Sequence, residues 1–174
     1  MSKQITLLLA FIGMIGLQSC TTEEYYVQDT NDQDTISEVF EYSNINLVEA
    51  NNYSVFLTYP HAIYTSDMVL VYRLSGVGPQ GDEWRLLPET YYFSDGTLDF
   101  GYNNDFTQFD VKVDLYGFDL PTLPNIYKLN QVFRVVIIPA FVNNKQTNKV
   151  DIKDYNAVVK AYNIDESRIQ KIKM

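Results

Sequence analysis

Apolar and polar positions alternate with period two along much of the chain. In YSVFLTYP (53–60), Tyr53, Val55, Leu57 and Tyr59 alternate with Ser54 and Thr58; in FDVKVDL (109–115), Phe109, Val111, Val113 and Leu115 alternate with Asp110, Lys112 and Asp114. Such a period puts successive side chains on opposite faces of an extended chain, so both stretches predict half-buried strands. MVLVYRL (68–74) and VFRVVIIP (132–139) are unbroken β-branched runs, the second closed by Pro139. They predict central strands. Asp95-Gly96 within YYFSDGTLDF (91–100) favours positive φ and predicts a type I′ hairpin. Gly76, Gly78, Pro79 and Gly81 predict a loop before Trp84, and Pro121 and Pro124 predict another.

Near the C-terminus the period changes. In VDIKDYNAVVKAYN (150–163), Ile152, Tyr155, Val158, Val159 and Tyr162 fall on one helical face. Asp151 is the predicted N-cap, with Asp154 three residues later in a box-like arrangement and Val150 and Tyr155 placed as a hydrophobic staple. Lys160 complements the helix C-terminus and Asn163 suits a left-handed stop. The helix is expected over about 151–162, and the tail ESRIQKIKM (166–174) is either a last strand or a frayed basic end. Short strands between turn signals predict a mainly β protein: an antiparallel β-sandwich, Ig-like or similar, with one C-terminal amphipathic α-helix.

The N-terminus has a different pattern. Residues 5–17, ITLLLAFIGMIGL, are uncharged and apolar and follow Lys3. At ~1.5 Å per helical residue the run reaches about 20 Å, short of a ~30 Å hydrocarbon core. A basic start, a short apolar run and a small residue before the break predict a signal peptide over residues 1–19. Cys20, the single cysteine, stands at the end of Leu17-Gln18-Ser19-Cys20. This stretch resembles the bacterial lipobox, which implies acylation (palmitate among the chains) and cleavage before Cys20. Several acyl chains at ~0.8 kcal/mol per buried methylene hold a protein firmly on a membrane.

Charge sharpens the organisation. The net charge is −9, and no Lys or Arg occurs between Gln4 and Tyr72. That balance argues against nucleic-acid partners, which require cationic cover for phosphates. Residues 21–36 carry five acids, no base and no apolar period. They predict a tether (20–36) ahead of a single domain over 37–174. A domain of ~135 residues buries roughly two-thirds of the surface its unfolded chain exposes. Within the tether, Glu23 and Glu24 resemble the acidic surface-export signal of Bacteroidetes lipoproteins. Asp34-Thr35-Ile36 matches the short O-glycosylation acceptor pattern used there, with Thr35 the candidate. The expected location is the outer membrane, lipid-anchored at the cell surface; the alternative is the periplasmic face.

MVLVYRL, EWRLLPETYYFSDGTLDF, NQVFRVVIIPA and DYNAVVKAYN together make the chain, over roughly residues 52–163, similar to a group of small flavobacterial lipoproteins. Relatives in that group are often labelled collagen-like, from a Gly-X-Y segment between the lipidated cysteine and the body. This chain has TTEEYYVQDTNDQDT in that place. The resemblance implies compartment and fold, and carries no activity.

Candidate chemistry is sparse. His61, in YPHAIY, is the only histidine, and no nucleophile motif surrounds a serine. It predicts a loop histidine at a strand end. Metal clusters of His and Cys are absent from the sequence. Asp95, Asp99, Asp105, Asp110, Asp114 and Asp119 have the oxygen chemistry of a calcium site, but Asp110 and Asp114 fit a solvated strand face more simply. No catalytic residue, metal or cofactor is therefore predicted. Trp84, Tyr91, Tyr92 and Tyr102 are candidates for an aromatic binding platform. The expected function is a non-enzymatic lipoprotein binding a protein partner of an outer-membrane assembly. A surface carbohydrate-binding module comes second and a hydrolase third.

Overall fold

The structure, a computed structural model, describes residues 36–79, 81–140, 142 and 149–174. The predicted signal peptide, Cys20, Glu23, Glu24 and Thr35 lie outside the described residues. Nine strands are formed among the described residues: β1 Glu38–Ile45, β2 Ser54–Thr58, β3 Met68–Gly78, β4 Gly81–Leu86, β5 Glu89–Tyr92, β6 Leu98–Phe106, β7 Asp110–Gly117, β8 Gln131–Ile138 and β9 Gln170–Lys173. A helix, α1, spans Tyr155–Ala161. One sheet has the order β4-β3-β8-β1-β9 and the other β2-β7-β6-β5. Neighbours pair antiparallel except β1 and β9, which run parallel from Phe40↔Gln170 to Ser43↔Lys173. The predicted mainly β sandwich with a C-terminal helix is what the chain forms.

The two kinds of strand pattern have separate causes. Strands β2 and β7 bury one face: Leu57, Val111, Val113 and Leu115 point inward, while Phe56 and Lys112 pair on the outer face. Strands β3 and β8 bury both. Val71, Phe133 and Val135 face the second sheet, whereas Leu70, Tyr72, Val136 and Ile138 pack under Tyr155, Val158 and Tyr162 of the helical segment. A strand covered on both faces has no solvated position, so its sequence reads as a continuous apolar run. The five-stranded sheet is thus the middle of three layers.

Several local expectations change. Gly76 and Gly78 belong to β3, which continues past an irregularity between Leu74 and Gly76 to pair Gly78 with Gly81. Only Gly81 of that group takes positive φ. The β5–β6 connection covers residues 93–97 rather than a two-residue I′ turn, with Asp95 Oδ1 accepting from the Thr97 amide (2.9 Å) and hydroxyl (2.6 Å). That side-chain turn widens the hairpin, and Gly96 alone is left-handed. Phe109 is exposed outside β7, because its amide is turned to Thr107 Oγ1 in the β6–β7 corner.

Helix α1 starts later than expected. Its N-cap is Asp154, whose carboxylate accepts from the amides of Asn156 (2.9 Å) and Ala157 (3.2 Å). Asp151 instead closes the preceding turn by accepting from Lys153 N at 3.0 Å. Ile152 consequently lies outside the helix and is partly exposed. The stop is as expected: Asn163 is left-handed, and Ile164 N reaches back to the Val159 carbonyl at 3.0 Å. The basic tail resolves to β9, an edge strand whose Lys171 and Lys173 discourage further pairing.

Strand registers give the sandwich two distinct ends. The 46–53, 93–97 and 118–130 connections and the β3–β4 tip share one end, tied by Leu47 N to Lys128 O and Phe118 N to Asp99 O, each 2.8 Å. Ile36, the 59–67 connection and the 107–109 turn share the other.

Candidate functional site

The four aromatic residues expected to make a platform do not meet on one surface. Tyr102 is 0% exposed, its hydroxyl donating to the Tyr127 carbonyl at 2.7 Å. Tyr91 stacks on Phe100 with centroids 4.3 Å apart, on the inner side of the four-stranded sheet. Trp84 belongs to the other sheet and packs beside Tyr155 with the helix layer. Tyr92, 64% exposed, is the one of the four that stands open to solvent, whereas Trp84 and Tyr91 are half-buried. The reason is the sheet period: Tyr91 and Tyr92 are neighbours in sequence and therefore face opposite ways.

What these aromatics do build is a pair of buried ionic networks, one on each face of β3 and β8. Between the sheets, Arg73 is 3% exposed and Glu89 8%. Arg73 Nε donates to Glu89 Oε2 at 2.9 Å and Nη2 to Oε1 at 3.2 Å, a bidentate pair. Tyr91 donates its hydroxyl to Glu89 Oε1 (2.5 Å) and accepts from Arg73 Nη2 (2.8 Å), while the guanidinium lies over the Tyr102 ring at 4.6 Å. Burial opposes ionisation of Glu89. Hydrogen bonds from Arg73 and Tyr91 and the charges of Arg73 and Arg85 outweigh it and hold the carboxyl below its ordinary range. Under the helix, Arg134 donates to Glu41 Oε2 (2.9 Å) and Glu166 Oε1 (3.0 Å) and lies 4.1 Å over the Trp84 ring. Each cation is matched by carboxylates and capped by a ring, as buried charge requires. The sequence shows Arg73 and Arg134 inside apolar runs, which was the available signal for buried pairs.

Other candidates occupy structural positions. His61 is a loop residue, with Nε2 3.0 Å from Glu38 Oε2 and its ring edge-on to Phe40. Asp95 and Asp119 accept hydrogen bonds from Thr97 and Thr122, Asp110 from Thr107, and Asp114 pairs with Lys112 at 2.8 Å. Among the described residues no three of His, Cys, Asp or Glu converge on a metal position. A groove of about 310 Å³ lies between the start of β1 and residues 163–170, lined by Ser37, Glu38, Asn163, Asp165 and Arg168 among others. Its carboxylates are engaged, Glu38 by His61 and Asp165 as the cap of the turn at Ser167.

The surface the sequence did not point to is the loop end remote from Ile36. There Tyr92, Phe93 and Leu98 of the β5–β6 hairpin, Phe118 after β7, Ile126 in the 118–130 connection and Val77 at the β3–β4 tip are all exposed. Phe118 is 83% exposed and Ile126 76%. Phe93 and Phe118 already pair edge-to-face, with centroids 6.5 Å apart. Exposed apolar residues gathered at one end of a domain, with an aromatic pair among them, mark a contact surface more often than scattered ones do. Gly117, paired with Phe100, holds Phe118 at this corner: a Cβ there would lie 2.6 Å from the Asp99 carbonyl. Loop residues lack a period, so no pattern announced this cluster. No protein-family model, no curated protein and no solved structure matches this chain.

Proposed function

We propose that this protein is a non-enzymatic lipoprotein, anchored to the outer membrane through acylated Cys20 and displayed at the cell surface, whose sandwich binds a protein partner. The observation that carries the binding role is the exposed Phe93–Phe118 pair, with Tyr92 and Leu98 beside it. Large rigid aromatics that lose water on contact supply most of the energy of protein interfaces. Support for the anchor comes from the lipobox-like Leu17-Gln18-Ser19-Cys20 at the end of an apolar run too short to span a bilayer. Glu23 and Glu24, directly behind the cysteine, favour the outward-facing leaflet. The carbohydrate platform loses its support, since Tyr102 and Tyr91 are committed to the core.

Metabolic labelling with a clickable palmitate analogue tests the anchor. Wild type is expected to incorporate label and Cys20→Ala none; labelling of the variant at wild-type level overturns the anchor. Protease treatment of intact cells tests display: wild type is expected to be digested, and Glu23→Ala with Glu24→Ala to be protected at equal membrane content. In-cell crosslinking tests binding, with a defined adduct expected for wild type and lost on Phe93→Ser with Phe118→Ser.

A further inference from the structure

The exposed apolar end has an unusual charge setting. Four segments build it: residues 46–53, 75–84, 92–99 and 117–130. They contain Glu49, Asp82, Glu83, Asp95, Asp99 and Asp119, and a single cation, Lys128; Lys173 of β9 reaches the same end of the sandwich, at the sheet edge opposite β4. Lys128 does not face solvent: it is buried, its ammonium donating to the carbonyls of Leu120 (3.0 Å) and Pro121 (2.8 Å). Arg85, the nearest base behind this end in sequence, is drawn back by Glu89 at 3.3 Å. Asp95 and Asp119 stand within two residues of Phe93 and Phe118 in the chain, and the Asp99 carbonyl accepts from the Phe118 amide, so the pair lies among carboxylates that its own loops do not neutralise.

From this complementarity, and resting on the protein-binding reading above, we infer that the partner segment is cationic and amphipathic: apolar side chains that seat on Phe93 and Phe118, flanked by Lys or Arg that meet Asp95, Asp99 and Asp119. An acidic rim repels anionic segments and anionic lipid headgroups alike, and it steers a basic segment onto the apolar centre.

The test uses the full chain held in phosphatidylcholine nanodiscs and three probes: a short amphipathic Leu/Lys peptide, its Leu/Glu counterpart, and phosphatidylglycerol vesicles. The Leu/Lys peptide is expected to bind. Its affinity should fall at least tenfold in Phe93→Ser with Phe118→Ser, and at least tenfold in Asp95→Asn with Asp99→Asn and Asp119→Asn. Unchanged circular dichroism and melting establish that both variants remain folded. Binding that survives loss of the two phenylalanines is general attraction to an acidic protein and overturns the inference. So does equal binding of the Leu/Glu peptide, capture of the vesicles, or self-association that the phenylalanine variant abolishes. If the in-cell adduct depends on Phe93 and Phe118 while the Leu/Lys peptide fails, the partner is not cationic but the binding reading stands. If the adduct is indifferent to both residues, the binding reading itself falls.

Discussion

A bidentate ion pair at 3% and 8% exposure makes Arg73 and Glu89 mutually dependent. Removing one partner leaves a desolvated charge, a change that costs about 3–5 kcal/mol, whereas replacing both with apolar groups is often close to neutral. Arg73→Met is therefore expected to destabilise by that amount, and Arg73→Met with Glu89→Leu to recover most of it. Urea melts of the singles and the double give the coupling; additive losses would show that the two groups do not act as a pair. Phenols set the alkaline limit. Burial pushes Tyr42, Tyr91 and Tyr155 up to about 12, the Tyr91 hydroxyl being held further by Glu89. Unfolded tyrosines titrate near ~10, so the neutral phenols stabilise the fold fully below that pH and progressively less as pH rises toward about 12. Glu89, held below its ordinary range, acts in the opposite sense: its contribution is present above the unfolded carboxylate range and is lost as pH falls through its folded value. The melting temperature should thus drop between pH ~10 and ~12 as tyrosinate absorbance rises. A flat melting temperature across that window would contradict the burial of these phenols.

At the scale of elements, the competition between Asp151 and Asp154 decides where α1 begins. Both are good N-cap residues by type, and the three-residue spacing reads as a box. The helix takes Asp154 because that start places Tyr155, Val158 and Tyr162 on the sheet, while Asp151 closes the turn that lets Tyr72 donate to the Ile152 carbonyl at 2.6 Å. Asp154→Ala should cost about 1 kcal/mol, and Asp151→Ala distinctly less. Chemical denaturation of the two variants ranks them; the reverse order would return the cap to Asp151.

For the molecule as a whole, the layer formed by α1 and the residues between it and β9 has a structural role and is no appendage. It covers Leu70, Tyr72, Val136 and Ile138 and supplies Glu166 and the Tyr155 ring to Arg134. A chain ending at Ala140 bares the outer face of the central sheet and strips Arg134 of half its carboxylate cover. Such a chain is expected to bind a hydrophobic dye and to lose cooperative melting. Retention of the wild-type transition would show the two-sheet sandwich to be self-sufficient.

What the sequence by itself determined was local. Strand identity in β2, β3, β7 and β8 followed from period and β-branching, because burial on one face or on both imprints directly on neighbouring positions. The helix stop at Asn163 followed likewise, since a left-handed residue needs no distant contact. Phe109, Gly76 and Gly78 misread the boundaries of their strands, where a side-chain hydrogen bond or an irregular pairing overrides the pattern. Tertiary structure alone decided the rest. The pairing of β9 with β1 joins residues at opposite ends of the domain. Glu89 lies sixteen positions from Arg73, and Glu41 ninety-three from Arg134. Trp84 and the three tyrosines looked interchangeable as exposed aromatics until sheet packing assigned each a face. The Phe93–Phe118 cluster is assembled from two loops, and loops have no periodicity from which such a meeting can be read.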